Sequence, residues 1–262
     1  MNENKPVNAD AMWRDWFTVS AANLDVKRMR RVFRKLPHDP RCKLCEAPFQ
    51  GVGGSLVRVL FGKQRSMLNP RFCNFCEDAA RKFPGGAEVE MSMLFADIRG
   101  STALAEKMSP REYSELIHRF YAASTKAIIE EDGLVEKLAG DEVVAFWGAG
   151  FAGPDYVRRT LNAAQNLARE LAREGIPVGI GVHVGVAYFG TVGTPEGLID
   201  LSAKGDEVNL AARLCAQAAA GEIIVSEQAL QAAGIDGGEL EARSLDLKGI
   251  SKLVPVRVMR GS

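Results

Sequence analysis

The sequence predicts an α+β fold: a mixed or antiparallel sheet with helices on one face. Three observations predict it. From residue 88 onward, apolar runs of strand length alternate with amphipathic helical stretches. Two of those runs, in GLVEKLAGDEVVAFWG, flank a Gly-Asp turn and read as a hairpin, which an all-parallel sheet would lack. The composition is 47% hydrophobic and 25% charged over 262 residues, and no apolar run approaches the ~18 residues that cross a bilayer.

The elements follow in chain order. The opening MNENKPVNAD lacks the basic and apolar regions of a signal peptide, so a cytoplasmic protein is expected. Residues 11–36 read as helical. Trp13, Trp16 and Phe17 share one face, and Val26, Met29, Phe33 and Leu36 recur at spacings of three, four and three. Lys27, Arg28, Arg30, Arg31, Arg34 and Lys35 surround that stripe. No aromatic residue interleaves with them at the exposed positions. The stretch is therefore read as a packing or dimer helix with a solvated basic face, not as a nucleic-acid or membrane contact. Pro37 and Pro40 end it. GVGGSLVRVLFG is read as the turns of a small module, and Pro84-Gly85-Gly86 as a hinge.

EVEMSMLFADI is a strand. In 109–131, Ser109 is a helix N-cap, Pro110 the first helical residue and Glu112 the partner of a capping box. Residues 154–174 are a helix, and IPVGIGVHVGVAYFGTVG is one strand or two. GDEVNLAARLCAQA is a helix, EIIVSE a strand and LVPVRVMR a terminal strand. Three domains are expected: N-terminal basic helices over 1–40, a four-cysteine module over 41–86, and a catalytic domain over 87–262. Charge divides along similar lines. Residues 1–87 hold sixteen Lys/Arg and eight Asp/Glu, against seventeen and twenty-five in 88–262, so the two parts carry +8 and −8.

Four of the five cysteines form two C-x-x-C pairs, Cys42/Cys45 and Cys73/Cys76, with twenty-seven residues between the pairs. In a reducing compartment such pairs read as an S₄ metal site, with structural Zn²⁺ first and an iron–sulfur cluster as the alternative. Cys215 sits in an apolar helical pattern and reads as a small buried hydrophobe. His38, His118 and His183 are scattered and read as structural or solvated, and no Ser-His-Asp or Cys-His set is evident.

The run MLFADIRGST raises the chemical question. A strand ends on Asp97, and a Gly-Ser-Thr turn that opens a helix follows. Asp97 could merely cap that helix. A second carboxylate, Asp141 in the hairpin turn behind Gly140, points instead to a divalent-cation site, since hard cations take oxygen ligands and substrate phosphates.

FADIRGST, KLAGD and GDEVNLAAR, in that order, resemble the motif set of class III nucleotidyl (adenylate/guanylate) cyclases, over about residues 88–260. The resemblance implies a ferredoxin-like catalytic domain acting as a head-to-tail homodimer. It also implies conversion of a nucleoside triphosphate to its 3′,5′-cyclic monophosphate and pyrophosphate, with two Mg²⁺ or Mn²⁺ per site. It assigns metal binding to Asp97, Asp141 and the carbonyl of Ile98, and a site-lining place to Phe95. Lys137 becomes the base-reading lysine and Ser202 the second base reader. Asn209 positions the ribose, Arg213 stabilises transition-state charge, and Lys248 contacts the terminal phosphates. Ser202 places the chain with the adenylate cyclases that carry Thr or Ser there, so ATP is the implied substrate. A hydroxyl also donates, however, and so discriminates against guanine less sharply than a carboxylate. A guanylate cyclase, or a nucleotide-binding sensor without turnover, stays open. No membrane or nucleic-acid partner is expected.

Overall fold

A computed structural model describes residues 8–18, 24–37, 40–194 and 197–261. The side chains of Val26 and Lys27 and the whole of His38 lie outside the described residues. In chain order the elements are α1 (Ala9–Thr18), α2 (Leu24–Arg34), α3 (Gly51–Phe61), α4 (Asn74–Lys82), β1 (Gly86–Ile98), α5 (Ser101–Lys107) and α6 (Pro110–Glu130). Then come β2 (Leu134–Ala139), β3 (Glu142–Trp147), α7 (Ala149–Ala152), α8 (Tyr156–Arg173), β4 (Val178–Gly193) and β5 (Ile199–Lys204). The chain ends with α9 (Asp206–Gln217), β6 (Glu222–Ser226), α10 (Glu227–Ala233), β7 (Glu241–Leu245) and β8 (Val254–Arg260). They fall into two compact units. The first is Met1–Val89 with Ala149–Phe151 and Tyr188–Lys204, and the second is Glu90–Gly148, Ala152–Ala187 and Gly205–Ser262.

In the first unit, the aromatic face of α1 forms a core. Trp13 and Phe17 are buried, and Trp16 stacks on Phe151 and Phe189. Phe33 of α2 is buried as the stripe requires, but Arg30 is buried too, at 1% exposure. The basic face is therefore not wholly solvated. Glu46 accounts for this: it pairs with Arg30 at 2.6 Å and Arg34 at 3.1 Å, and Arg30 also donates to the Leu44 carbonyl. A buried guanidinium needs such partners. GVGGSLVRVLFG is also not a set of turns. It forms α3, and a Cβ on Gly53 would lie 2.4 Å from the Pro37 carbonyl oxygen. These glycines permit close helix packing where sequence alone suggests a break. The Pro84–Gly86 segment, read as a hinge, is fastened to β4: Gly85 N–H donates to Thr191 Oγ1 at 2.7 Å, and Thr191 N–H to the Gly85 carbonyl.

The second unit is built on strands in the order β2-β3-β1-β4-β6-β8-β7. β1–β3, β2–β3, β6–β8 and β7–β8 are antiparallel, and β4–β6 is parallel. Past Ala187, β4 runs into the first unit and pairs there with β5. The 2-3-1-4 order of the first four strands is the ferredoxin-like arrangement. α6 carries the expected capping box of Ser109 and Glu112. The hairpin turn places Gly140 at φ +62°. Strand β5, helix α10 and strand β7 were not anticipated from the sequence.

Helices do not cover one face only. Ile224 packs with Leu214 of α9 and with Ala218 just past its end, yet its neighbours Ile223 and Val225, which point to the opposite face, are equally buried. Helix α9 reaches its side because β4 carries glycines there. A Cβ on Gly181 would sit 2.3 Å from the Cys215 nitrogen and 2.7 Å from the Ala211 carbonyl oxygen. His183, on the same face, is buried and bonds Ser226 Oγ at 2.8 Å and Glu207 of α9. Burial lowers its pKa, against the opposing pull of Glu207.

Two outcomes follow. Gly181→Ala must push α9 outward, and is expected to lower stability by about 1–3 kcal/mol in urea titration. At the far sheet edge, Arg243 bonds Glu222 and lowers its pKa to about 2. A depressed carboxyl stabilises the fold above its unfolded pKa, and that contribution is lost as pH falls from 4.5 towards 2. Glu222→Gln should therefore flatten the acid limb of a stability–pH profile over that range.

Candidate active site

β1 pairs with β3 so that Asp97 faces Glu142 and Phe95 faces Val144. Just past this register, Ile98 N–H donates to the Asp141 carbonyl at 3.1 Å. The strand end and the hairpin turn are thus locked side by side, and Asp97, Ile98 and Asp141 come together. Phe95 is buried behind them. Burial pushes the Asp97 carboxyl above its ordinary range. Arg99, 3.3 Å away, opposes that shift, while Asp141 and Glu142 add to it. Tyr113 and Tyr121 of α6 are raised first by burial and then by the field of Asp141. The Tyr121 hydroxyl donates to the Gly140 carbonyl at 2.8 Å and steadies the turn. The residues fit a hard divalent cation: they are oxygen donors, and burial and neighbouring negative charge disfavour the ionised form of Asp97, which a cation would relieve.

Asn209 is exposed and Arg213 half-buried, one turn apart on α9. The Arg213 guanidinium lies against Gly249, where a Cβ would come within 3.4 Å of it, and so beside the turn that carries exposed Lys248. Lys137, on β2 next to a register shift, is about half exposed and pairs with Glu142 at 3.2 Å. Ser202 belongs to the first unit, on β5 opposite Gly190. Arg99 was missed in the sequence. Its guanidinium donates to the Cys215 carbonyl at the C-terminal end of α9 while it faces Asp97. The bond spans 116 positions, and only the nearness of Arg99 to Asp97 in the motif hinted at it. Glu142 and Tyr121 were missed as well. Cys215 is buried, and burial pushes its thiol up to about 12. His118 is exposed on α6.

In the first unit, the two C-x-x-C pairs meet. The sulfurs of Cys42, Cys45, Cys73 and Cys76 all lie within 4.8 Å of one another. The Cys45 and Cys73 sulfurs are 3.8 Å apart, about the edge of a tetrahedron with ~2.3 Å metal–sulfur bonds. Cys73 is the N-cap of α4, and its backbone N–H donates to Cys42 Sγ at 3.2 Å. Hydrogen bonds from Cys42, Cys45 and Cys76 hold the Cys73 thiol well below its usual range, while the same network raises Cys45 and Cys76. Lys63 Nζ lies 4.0 Å from Cys73 Sγ. Burial lowers the ammonium's pKa, but the four sulfurs together shift it upward. Thiols that already share their protons this closely fit a soft cation, with Lys63 offsetting the excess charge.

Among the described residues, no helix is long and apolar enough to cross a membrane. Residues 86–253 match the family described as Adenylate and Guanylate cyclase catalytic domain. The uncharacterized protein Rv1318c of Mycobacterium tuberculosis is 33% identical over 181 residues, which cover 68% of this chain and 32% of that protein. The chain thus spans about a third of the length of the curated relatives it matches. Among solved structures, the guanylyl cyclase Cya2 aligns with a TM-score of 0.62 at 24% identity, covering 67% of this chain and 93% of that one. The adenylyl cyclase CyaB from P. aeruginosa aligns with a TM-score of 0.55 at 23% identity, covering 67% and 96%. Both likenesses are of fold. With the family match extending over well more than half of its length, the chain belongs to the adenylate and guanylate cyclase catalytic domain family.

Proposed function

We propose that the chain is an adenylate cyclase that works as a head-to-tail homodimer, with residues 87–262 as catalytic domain and 41–86 as a regulatory metal module. The observation that carries this reading is the pairing of Asp97 with the Asp141 turn through the Ile98–Asp141 backbone bond. Asp97, Asp141 and the Ile98 carbonyl would hold Mg²⁺ or Mn²⁺. When bound, such ions lower the pKa of the attacking hydroxyl and neutralise phosphate charge. The ATP 3′-oxygen then forms a bond to the α-phosphorus as the bond to pyrophosphate breaks, and its proton leaves to solvent. Arg213, whose guanidinium lies against Gly249, and Lys248, the residue before that glycine, supply positive charge to the departing oxygens. Asn209 holds the ribose. Lys137 donates to an adenine ring nitrogen, and Ser202 accepts from the exocyclic amine. Lys137 favours ATP over GTP, because guanine presents a protonated ring nitrogen where adenine presents an acceptor.

Shared sites set the decisive test. The metal ligands serve one site of the dimer, and Lys137, Asn209 and Arg213 serve the other. Asp97→Ala and Arg213→Ala are each expected to be inactive alone. Mixed and allowed to exchange subunits, they should recover about a quarter of wild-type activity, the statistical share of intact sites. No recovery from folded, exchanging chains would reject the shared-site dimer. ATP and GTP are to be assayed side by side, and a GTP preference would reassign the enzyme as a guanylate cyclase.

For the cysteines the reading is Zn²⁺. Sulfurs gathered within 4.8 Å match one ion, whereas a cluster spreads its ligands over several irons. Protein purified without oxygen should be colourless and carry about one zinc per chain, lost in Cys73→Ser. Iron with visible charge-transfer bands would overturn this assignment.

A further inference from the structure

Strand β5 pairs along one edge with β4. Its burial alternates: Ile199, Leu201 and Ala203 are buried, whereas Asp200, Ser202 and Lys204 point to the other face. Asp200 and Ser202 are therefore neighbours on one face. The outer edge of β5 is held by residues that lie between and beside the cysteines. Lys43, between Cys42 and Cys45 and only 4% exposed, donates from Nζ to Asp200 Oδ1 and to the Leu201 carbonyl, both at 2.8 Å. Asp200 Oδ1 also accepts the Leu201 amide at 2.8 Å. Asn69 donates to the Ile199 carbonyl, and Arg71, two residues before Cys73, to Asp200 Oδ2. The two halves are joined by Lys43 N–H to the Arg71 carbonyl at 2.8 Å.

We propose that the four-cysteine centre is a clamp on β5: its metal fixes Lys43 and Arg71, these fix Asp200, and Asp200 positions Ser202. A tetrathiolate ion cross-links two segments that are twenty-seven residues apart in the chain. Without it, the loops that carry Lys43 and Arg71 lose their strongest cross-link and keep the weaker backbone bond from Lys43 N–H to the Arg71 carbonyl. Lys43 is a buried ammonium, so its bond to Asp200 is obligatory while the loop holds its shape. Metal loading then sets how firmly the base is read, and it acts on KM and on the choice between ATP and GTP more than on the chemical step. The second half of this inference rests on the reading of Ser202 as a base contact. The clamp itself does not.

The test uses the full chain. Hydrogen exchange by mass spectrometry follows the amides of 199–204 in zinc-loaded protein and after chelation, beside steady-state kinetics with ATP and GTP. Chelation is expected to speed exchange in β5 by about tenfold or more. Asp200→Asn should keep its zinc, yet show the faster exchange while loaded. Its KM for ATP should rise about tenfold, with a smaller change in kcat and a lower ATP:GTP ratio. Unchanged β5 protection on chelation, or an unchanged KM and ratio in Asp200→Asn, overturns the proposal. If Asp200→Asn does not fold, Lys43→Met carries the same expectations. If wild-type protein turns over neither nucleotide, the enzymatic reading fails, while the exchange result still decides the clamp.

Discussion

A slip of one residue between β1 and β3 would turn Asp97 to the strand's other face, where Leu94 and Ala96 are fully buried. The period of two along a strand leaves no intermediate arrangement. The register Asp97–Glu142 and the bond from Ile98 N–H to the Asp141 carbonyl are thus the constraint on which the candidate site depends. They are held from several sides. Ala96, Leu94 and Met93 are fully buried, Tyr121 ties down the turn, and Arg99 links the strand end to the end of α9. Carboxylates collected at a partly buried edge are unstable neighbours. A rigid frame keeps them together.

The first unit is organised on a different principle. Its aromatic core joins α1 to Phe151 and Phe189, residues far along the chain. The cysteine loops are tied in by charge: Glu46 to Arg30 and Arg34, and Lys43 and Arg71 to Asp200. A small module lacks the apolar mass to hold such loops by packing alone, so ion pairs take its place, beside four gathered sulfurs that fit a metal cross-link.

Local chemistry was legible in the sequence. The capping box at Ser109, the hairpin around Gly140, the two C-x-x-C pairs and the carboxylates Asp97 and Asp141 all stand out, because each signal lies within a few residues. What escaped is long-range. Arg30 looks solvated until Glu46 is seen opposite it, sixteen positions on. GVGGSLVRVLFG carries the residues of turns, and only the closeness of Pro37 shows that its glycines make room for a neighbour. IDLSAK is too short and too polar on one side to announce itself as a strand, and its edge is covered by side chains more than a hundred residues earlier. Helices on both faces were missed for a related reason. The glycines of GIGVHVG sit in a stretch read as one strand or two, and nothing local in them announces the helix α9 that lies upon them.

That glycine face has an evolutionary consequence. Glycine has no smaller replacement, and any missense change of its codon adds a side chain. At Gly181 that side chain meets the backbone of α9. Drift at this position can therefore displace the helix bearing Asn209 and Arg213 only outward. Any lineage that tolerates such a change must first reshape α9 itself.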